Sequence, residues 1–548
     1  MIRTLLGILL CSASLVSYAK NLSLDTLANG NGAVLFQFSN DYPVIYPGTI
    51  GPQISVTLAD SDGKTLHFLQ PSNTGFRSTL SYLGALPPGR YRFVDFQAVP
   101  CKILCPGAYL PPPDNLPEFE IAAGRVRYLG TIGFAMLSNA YSTQPSAFRK
   151  YWGWTHSPQP GESLRMLMGY PDLSNFQNSV DNGWAGTDSA GSDGMRLQLK
   201  TLSYGMFGAS DYDNDGFYFA SHNGMIKRFR AGNAIALIDT GHDFMVTSVR
   251  ELTPGHIFTT SEAGLVRYSD DDGKTWQDRS AGIEYGVAAN AVVLAEDEVA
   301  FTLQKGDRVL LYRGAPSSGN WRKIAEFPLV FATWTGLPGA QPELFHYQGT
   351  LVLTLPSRKL AVISLADESS ELRDPPGSIA MAKLSADGVL RCSCAKSIAI
   401  SPYESRDYGK TWAPADFSRF LNLPEFHDSL NGFSYQGAVF SAKNTGLSFT
   451  RDGGKTWEFS NYPDLGRAWW QPSYSRDGNV MLLYSVSSLG NTAFQVLKTS
   501  LDGGKNWQAV SSRQGWLYPP VPEGNGTAPA PPALPETPIA PAPPPPKT

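Results

Sequence analysis

Thr450-Arg451-Asp452-Gly453-Gly454-Lys455-Thr456-Trp457 is one of four near-copies of a single stretch. The others are Ser269-Asp270-Asp271-Asp272-Gly273-Lys274-Thr275-Trp276, Ser405-Arg406-Asp407-Tyr408-Gly409-Lys410-Thr411-Trp412 and Ser500-Leu501-Asp502-Gly503-Gly504-Lys505-Asn506-Trp507. The shared pattern is hydroxyl-x-Asp-x-Gly-Lys-x-Trp, and it reads as a tight turn between two strands. The hydroxyl and the carboxylate can accept hydrogen bonds from backbone N–H groups a few residues on. The Gly supplies a positive φ. The Trp opens the next strand with a large apolar face to bury. Asp271, Asp407, Asp452 and Asp502, with Trp276, Trp412, Trp457 and Trp507, are therefore structural residues in this reading.

The Trp spacings set a period. Trp276 to Trp321 is 45 residues, Trp321 to Trp412 is 91, Trp412 to Trp457 is 45 and Trp457 to Trp507 is 50. Trp321 closes a decayed copy that begins at Arg313 and has lost its Asp. A repeat of roughly 40–50 residues with strand-like segments signals propeller blades. Phe433-Ser434-Tyr435-Gln436-Gly437 echoes Phe345-His346-Tyr347-Gln348-Gly349. Similar turn-then-strand starts lie near Gly216, Gly255, Glu298, Gly349, Gly388, Gly437 and Gly478. The sequence thus predicts an all-β chain with a seven-bladed β-propeller over 191–515. Six or eight blades also fit the pattern, because the earliest blade has no box.

The repeated stretch resembles the Asp-box, or BNR repeat, of sialidases, sortilin-type receptors, photosystem II assembly-factor-like proteins and some glycoside hydrolases. The resemblance implies a propeller, with the boxes away from any active site. Sialidase chemistry would further need three arginines around a carboxylate, a Tyr–Glu nucleophile pair and an acidic proton donor. The family's Arg-Ile-Pro motif is missing here, and sialidase propellers usually have six blades. Arg250, Arg358 and Arg467 fall within the propeller region.

Residues 1–19 read as a secretory signal: Arg3 leads, Leu5 to Val16 form the apolar run, and Ser17-Tyr18-Ala19 offer small residues at the cleavage positions. The run is too short to span a bilayer. Leu10 before Cys11 departs from the small residue that precedes a lipid-anchored cysteine. No later stretch is long and apolar enough for a membrane helix. The expected location is periplasmic or secreted. Removal of the signal leaves Cys101, Cys105, Cys392 and Cys394, an even count that suggests disulfides in an exported chain. Three connectivities are open. Cys101–Cys105 is the easiest local pair, Cys392 and Cys394 share one face of a strand, and a four-thiolate metal site is the sharper alternative.

Residues 20–140 carry strand patterns without boxes: Val34 to Phe38, Ile54 to Leu58, Tyr91 to Phe96 and Val126 to Leu129. Leu86-Pro87-Pro88-Gly89-Arg90-Tyr91 followed by Ala123-Gly124-Arg125-Val126-Arg127-Tyr128 resembles small transthyretin-like β-sandwiches of bacterial envelope proteins. An N-terminal β-sandwich is expected, of the kind that positions or recognises. Residues 141–190, rich in Ser, Pro, Asn and Gly and holding Trp152, Trp154 and Trp184, read as a connector packed on the propeller. In 516–548 the composition shifts. Thirteen of the last thirty residues are Pro, as in an extended, disordered tail.

The formal net charge is -4, so nucleic acid is not an expected partner. Asp211, Asp213 and Asp215 have calcium-loop spacing, which makes calcium a candidate cofactor. His222 stands where the closing Glu would be, and the plain alternative is an acidic turn. Trp469 and Trp470 beside Arg467 form a candidate ligand-binding group, with packing between blades as the alternative. Glu262, Glu343, Asp367 and Glu368 are candidate glycosidase carboxylates, with salt-bridged or solvated roles as the alternative. No catalytic residue is assigned. The leading expectation is an exported, non-enzymatic binding or assembly protein. Its propeller face would hold a protein or glycan partner in the cell envelope. A glycoside hydrolase with a central-pocket active site is the alternative.

Overall fold

A computed structural model describes residues 16–18, 29–40, most of 53–184, 216–230, 236–329 and, with short breaks, 342–509. The described chain is mostly β and falls into nine sheets. Two six-stranded sheets come first. One is built on Gln53–Asp60 between Leu66–Leu69 and Gly89–Val99, with Val16–Tyr18, Ala108–Leu110 and Phe119–Ile121 added at its edges. The other orders Arg149–Trp154, Val126–Leu137, Gly32–Asn40, Thr79–Leu86 and Pro71–Ser72, with Val180–Asn182 also paired to Val126–Leu137. The candidate strands read from sequence fall within these elements.

Alternation decides how the second of these sheets is used. Val34, Phe36 and Phe38 point into a core shared with Ile54, Val56, Leu58, Phe93 and Phe96 of the first sheet. Ala33, Leu35, Val126 and Tyr128 point the other way, into a second core with Met166, Leu167, Phe244 and Leu265. A strand buried on both faces needs a continuous apolar run, and Ala33-Val34-Leu35-Phe36 supplies one.

The segment read as a connector is part of this N-terminal body. Arg149–Trp154 and Val180–Asn182 are strands of its second sheet, and Trp152, Trp154 and Trp184 lie in its core. Those three Trp therefore pack on the N-terminal strands, because their rings fill the space between its two sheets. Between them lies an α-helix, α1 (Pro160–Met168), which the all-β reading did not include. Pro160 suits the first helical position, Glu162 places negative charge in the first turn, and good helix formers follow.

Seven sheets follow in series, each a meander of sequential antiparallel strands. Sheet one has Gly216–Ala220, Met225–Arg230 and Ala236–Asp239. Sheet two has Val246–Thr253, His256–Ser261, Val266–Ser269 and Gln277–Asp278. Sheet three has Val287–Ala295, Glu298–Lys305, Arg308–Ala315 and Asn320–Pro328. Sheet four has Leu344–Tyr347, Thr350–Leu355, Lys359–Ser364 and Ser370–Arg373. Sheet five has Ser378–Leu384, Leu390–Lys396, Ala399–Ser405 and Ala413–Pro414. Sheet six has Glu425–Phe426, Gly432–Ala438, Ser441–Thr450 and Glu458–Ser460. Sheet seven has Ala468–Tyr474, Met481–Leu489, Thr492–Ser500 and Gln508–Ala509. The first strands of sheets two, three, four and five contact one another in order. Six of the seven turn-then-strand starts map to different sheets, although Gly437 lies inside its strand rather than at the start, and Gly478 lies outside the described residues.

Candidate functional site

A meander puts its first-to-second and third-to-fourth turns at one edge of the sheet, and its second-to-third turn at the other. The hydroxyl–Asp turns all join third and fourth strands, and their hydrogen bonds repeat. In sheet two, Ser269 Oγ donates to Asp271 Oδ1 at 2.8 Å and accepts from Gly273 N at 2.9 Å. Asp271 Oδ1 also accepts Thr275 N at 2.8 Å, and Oδ2 accepts Thr275 Oγ1 at 2.6 Å. Trp276 Nε1 closes the turn on Gly273 O at 3.1 Å. Asp407 and Asp452 repeat the set with Thr411 and Thr456, and in sheet seven Asn506 Nδ2 takes the hydroxyl's place on Asp502. The Thr hydroxyl first, then the Thr amide, hold the Asp271 and Asp452 carboxyls down at about 2. Gly273 has φ +80, and a Cβ there would lie 2.7 Å from Ile238 of sheet one. The turn thus wedges against the preceding sheet. Trp321, in the decayed copy, donates instead to Arg279 O of sheet two at 2.5 Å.

Arginines bridge other neighbours. Arg228 of sheet one pairs with Asp272 in the sheet-two turn. Arg313 of sheet three donates to Leu365 O of sheet four at 2.9 Å. Arg373 of sheet four donates to Asp407 O at 2.6 Å and Tyr408 O at 3.0 Å in the sheet-five turn. Arg391 of sheet five lies 4.2 Å above the Phe426 ring of sheet six.

The opposite edge of sheets one and two is covered by α1. Arg165 donates to Ile283 O at 3.0 Å and to Ser280 O at 2.5 Å. Glu162 Oε1 accepts Asp243 N at 2.9 Å, while Thr155 Oγ1 donates to Asp243 Oδ2. Both acids are buried, at 4% and 3% exposure. Burial first, then the charges of Glu162 and Asp243, push the Tyr128 hydroxyl well above its usual range. A second turn motif, missed in the sequence, builds this edge. Ser221-His222-Asn223-Gly224-Met225 and Ser261-Glu262-Ala263-Gly264-Leu265 share left-handed third and fourth residues and a Ser N to residue-five O bond, at 3.0 and 2.8 Å. Its signal was Ser-x-x-Gly-apolar repeated at a 40-residue offset. Burial, then Lys227, lowers His222 to about 4.

The sequence-derived candidates are dispersed. Glu262 sits buried in the second-to-third turn of sheet two. Asp367 and Glu368 sit in the third-to-fourth turn of sheet four, hence at the other edge, and Glu368 is held by Arg322 and Arg313. Glu343 precedes the first strand of sheet four, where its N–H donates to Thr354 Oγ1 at 2.9 Å. Arg250 donates to the carbonyl of Val249. Trp469 and Trp470 lie in the first strand of sheet seven. Arg467, Arg358, the Asp211, Asp213 and Asp215 calcium candidate, Trp507, Cys101, Cys105 and the Pro-rich tail lie outside the described residues. Cys392 and Cys394 are bonded to each other in the second strand of sheet five, so they are not free thiolates for a four-cysteine metal site. Among the described residues no group of three His, Cys, Asp or Glu is placed to hold a metal ion. No described helix is long and apolar enough to cross a membrane.

No known protein family and no curated protein matches the chain. Among solved structures, the one described as YCF48 bound to D1 peptide is 13% identical, with a TM-score of 0.42 over 54% of this chain and 93% of that chain. A streptogramin B lyase is 13% identical, with a TM-score of 0.39 over 54% and 94%. The WD40 β-propeller domain of Doa1 is 12% identical, with a TM-score of 0.28 over 36% and 62%.

Proposed function

We propose that this chain is an exported binding or assembly protein whose seven serial sheets close into a β-propeller, fronted by an N-terminal β-sandwich, and that a propeller face holds a protein or glycan partner. Seven consecutive meander sheets and successive contacts between first strands support the propeller. The shared core of the two N-terminal sheets supports the sandwich. The hydroxyl–Asp turns, which repeat one hydrogen-bond set in sheets two, five and six and keep the hydroxyl–Asp core of it in sheet seven, support their reading as Asp-boxes. The apolar run before Ser17-Tyr18-Ala19 supports export.

The observation that carries a binding role is how the acids are employed. Asp271, Asp407 and Asp452 close turns, Glu162 and Asp243 seat α1, and Glu368 ties two arginines. These carboxylates hold the scaffold rigid, which suits presentation of a surface. The test is a glycan array, a panel of chromogenic glycosides and a pull-down from envelope extract, all with the chain lacking residues 1–19. Specific capture without glycoside turnover is expected. Turnover that disappears with a pocket carboxylate would overturn the reading in favour of a glycoside hydrolase.

A further inference from the structure

The edge carrying the hydroxyl–Asp turns differs from sheet to sheet. On sheets three and four its cations have carboxylate partners: Arg313 with Glu298 at 2.7 Å, and Arg322 with Glu368. In sheet two the turn is acidic, with Asp270, Asp271 and Asp272 against Lys274, and Asp272 already engages Arg228. Sheets five and six reverse this. Their turns expose Arg406 and Lys410, then Arg451 and Lys455. Among the described residues none of these four side chains has a hydrogen-bond or ion-pair partner. The one acid in each turn, Asp407 or Asp452, spends both oxygens within its own turn.

Apolar side chains interleave with these cations. Leu430 and Leu501, at 55% and 53%, are the most exposed large hydrophobics among the described residues. Leu430 lies in the turn entering the second strand of sheet six, where its carbonyl accepts Gly453 N at 2.8 Å, against the Arg451 turn. Leu501 takes, in the sheet-seven turn, the position that Arg406 and Arg451 hold in theirs. Sheets five and six are adjacent, since Ala386 N donates to Phe426 O at 3.2 Å. Unpaired cations beside exposed leucines match the make-up of a recognition surface, in which charge steers and apolar anchors hold.

We propose that the turn edge of sheets five to seven docks an acidic polypeptide segment carrying apolar residues, its carboxylates on Arg406, Lys410, Arg451 and Lys455 and its apolar side chains on Leu430 and Leu501. This rests on the reading of the chain as a binding protein and gives the partner a chemistry. The charge sets the first requirement, because a basic segment would meet four like charges. The leucines set the second, because a purely polar acid would leave them in water.

The test uses the whole chain without residues 1–19 and a fluorescein-labelled peptide of alternating Glu and Leu, read by anisotropy. A Lys–Leu peptide and phosphatidylglycerol vesicles are the controls. Binding of the Glu–Leu peptide alone, weakened by salt, is expected. Arg406→Glu with Arg451→Glu should weaken it about tenfold or more, and Leu430→Ser with Leu501→Ser should weaken it with less effect on salt dependence. All four side chains are exposed, so unchanged melting curves certify the fold. Absence of peptide binding, equal binding of the Lys–Leu peptide, preference for the vesicles, or indifference to the charge reversal would each overturn the surface. Capture from envelope extract that survives the charge reversal would leave the binding function standing and this surface refuted. Glycoside turnover without capture would refute both.

Discussion

Replacing Arg391 by Met should weaken the joint between sheets five and six. The guanidinium donates to Glu404 at 2.8 Å, to Asp387 at 2.7 Å and to Ser385 at 3.0 Å, and it lies 4.2 Å over Phe426. Its side chain is 3% exposed, while Asp387 and Glu404 are 11% and 25% exposed. Removing one partner of a fully buried ion pair costs about 3–5 kcal/mol, mostly through the charge left behind. Here water reaches both carboxylates, which lowers that cost, and the lost cation–π contact restores about 0.5–2 kcal/mol. The expected loss is about 3 kcal/mol. Urea unfolding read by Trp fluorescence measures it, and hydrogen exchange locates it. Peptides from both 385–405 and 424–433 should exchange faster. Arg391→Lys should recover only part, since an ammonium cannot bridge two carboxylates as a fork does. A loss below about 1 kcal/mol, or faster exchange confined to sheet five, would refute the assignment of Arg391 as the joint.

Acid should destabilise the protein in two windows. His222 has a folded pKa of about 4 against an ordinary 6.5, so the unfolded chain binds the extra proton and stability falls from pH 6.5 to 4. His222→Gln should flatten that slope in melting temperatures measured across pH. Asp271 and Asp452 have folded values of about 2 against 3.8, so their contribution is present above 3.8 and is lost as pH falls through 2. Asp271→Ala should lower the melting temperature and reduce the loss in this lower window, while leaving partner capture in the pull-down intact. Glu162→Ala strands the buried Asp243 N–H and should cost about 1–3 kcal/mol, with protease cutting near α1 as a second readout. Gly264→Ala combines φ +68 with a Cβ 2.2 Å from Glu284 O, and should cost about 2 kcal/mol or more by chemical unfolding.

The hydroxyl–Asp turns were legible because every requirement is local: the hydroxyl, the carboxylate, the glycine and the Thr amide lie within seven residues. The strands of the N-terminal body were legible for a similar reason, since Val34-Leu35-Phe36 announces burial wherever it occurs. What the sequence hid was non-local. Glu162 and Asp243 meet across 81 positions, and Arg391 acquires its role only when Phe426 arrives from the next sheet. The helix α1 was hidden by its surroundings. Pro160-Gly161-Glu162 carries a sound start signal, but a stretch rich in Ser, Pro and Asn surrounds it. Of the proposed Trp469–Trp470–Arg467 group, composition alone could not say which way any ring points.

The strand Gly32–Asn40 has a consequence for how this chain could be inherited or dissected. It belongs to two interiors at once, giving Val34, Phe36 and Phe38 to one and Ala33 and Leu35 to the other. A fragment ending near residue 184 would keep all its strands and α1, yet would strip Phe244, Ala263 and Leu265 from the second core and open it to water. The boundary visible in composition is therefore not a seam along which the molecule separates. A descendant that exchanged its front unit would have to exchange α1 and the edge of the first two sheets with it.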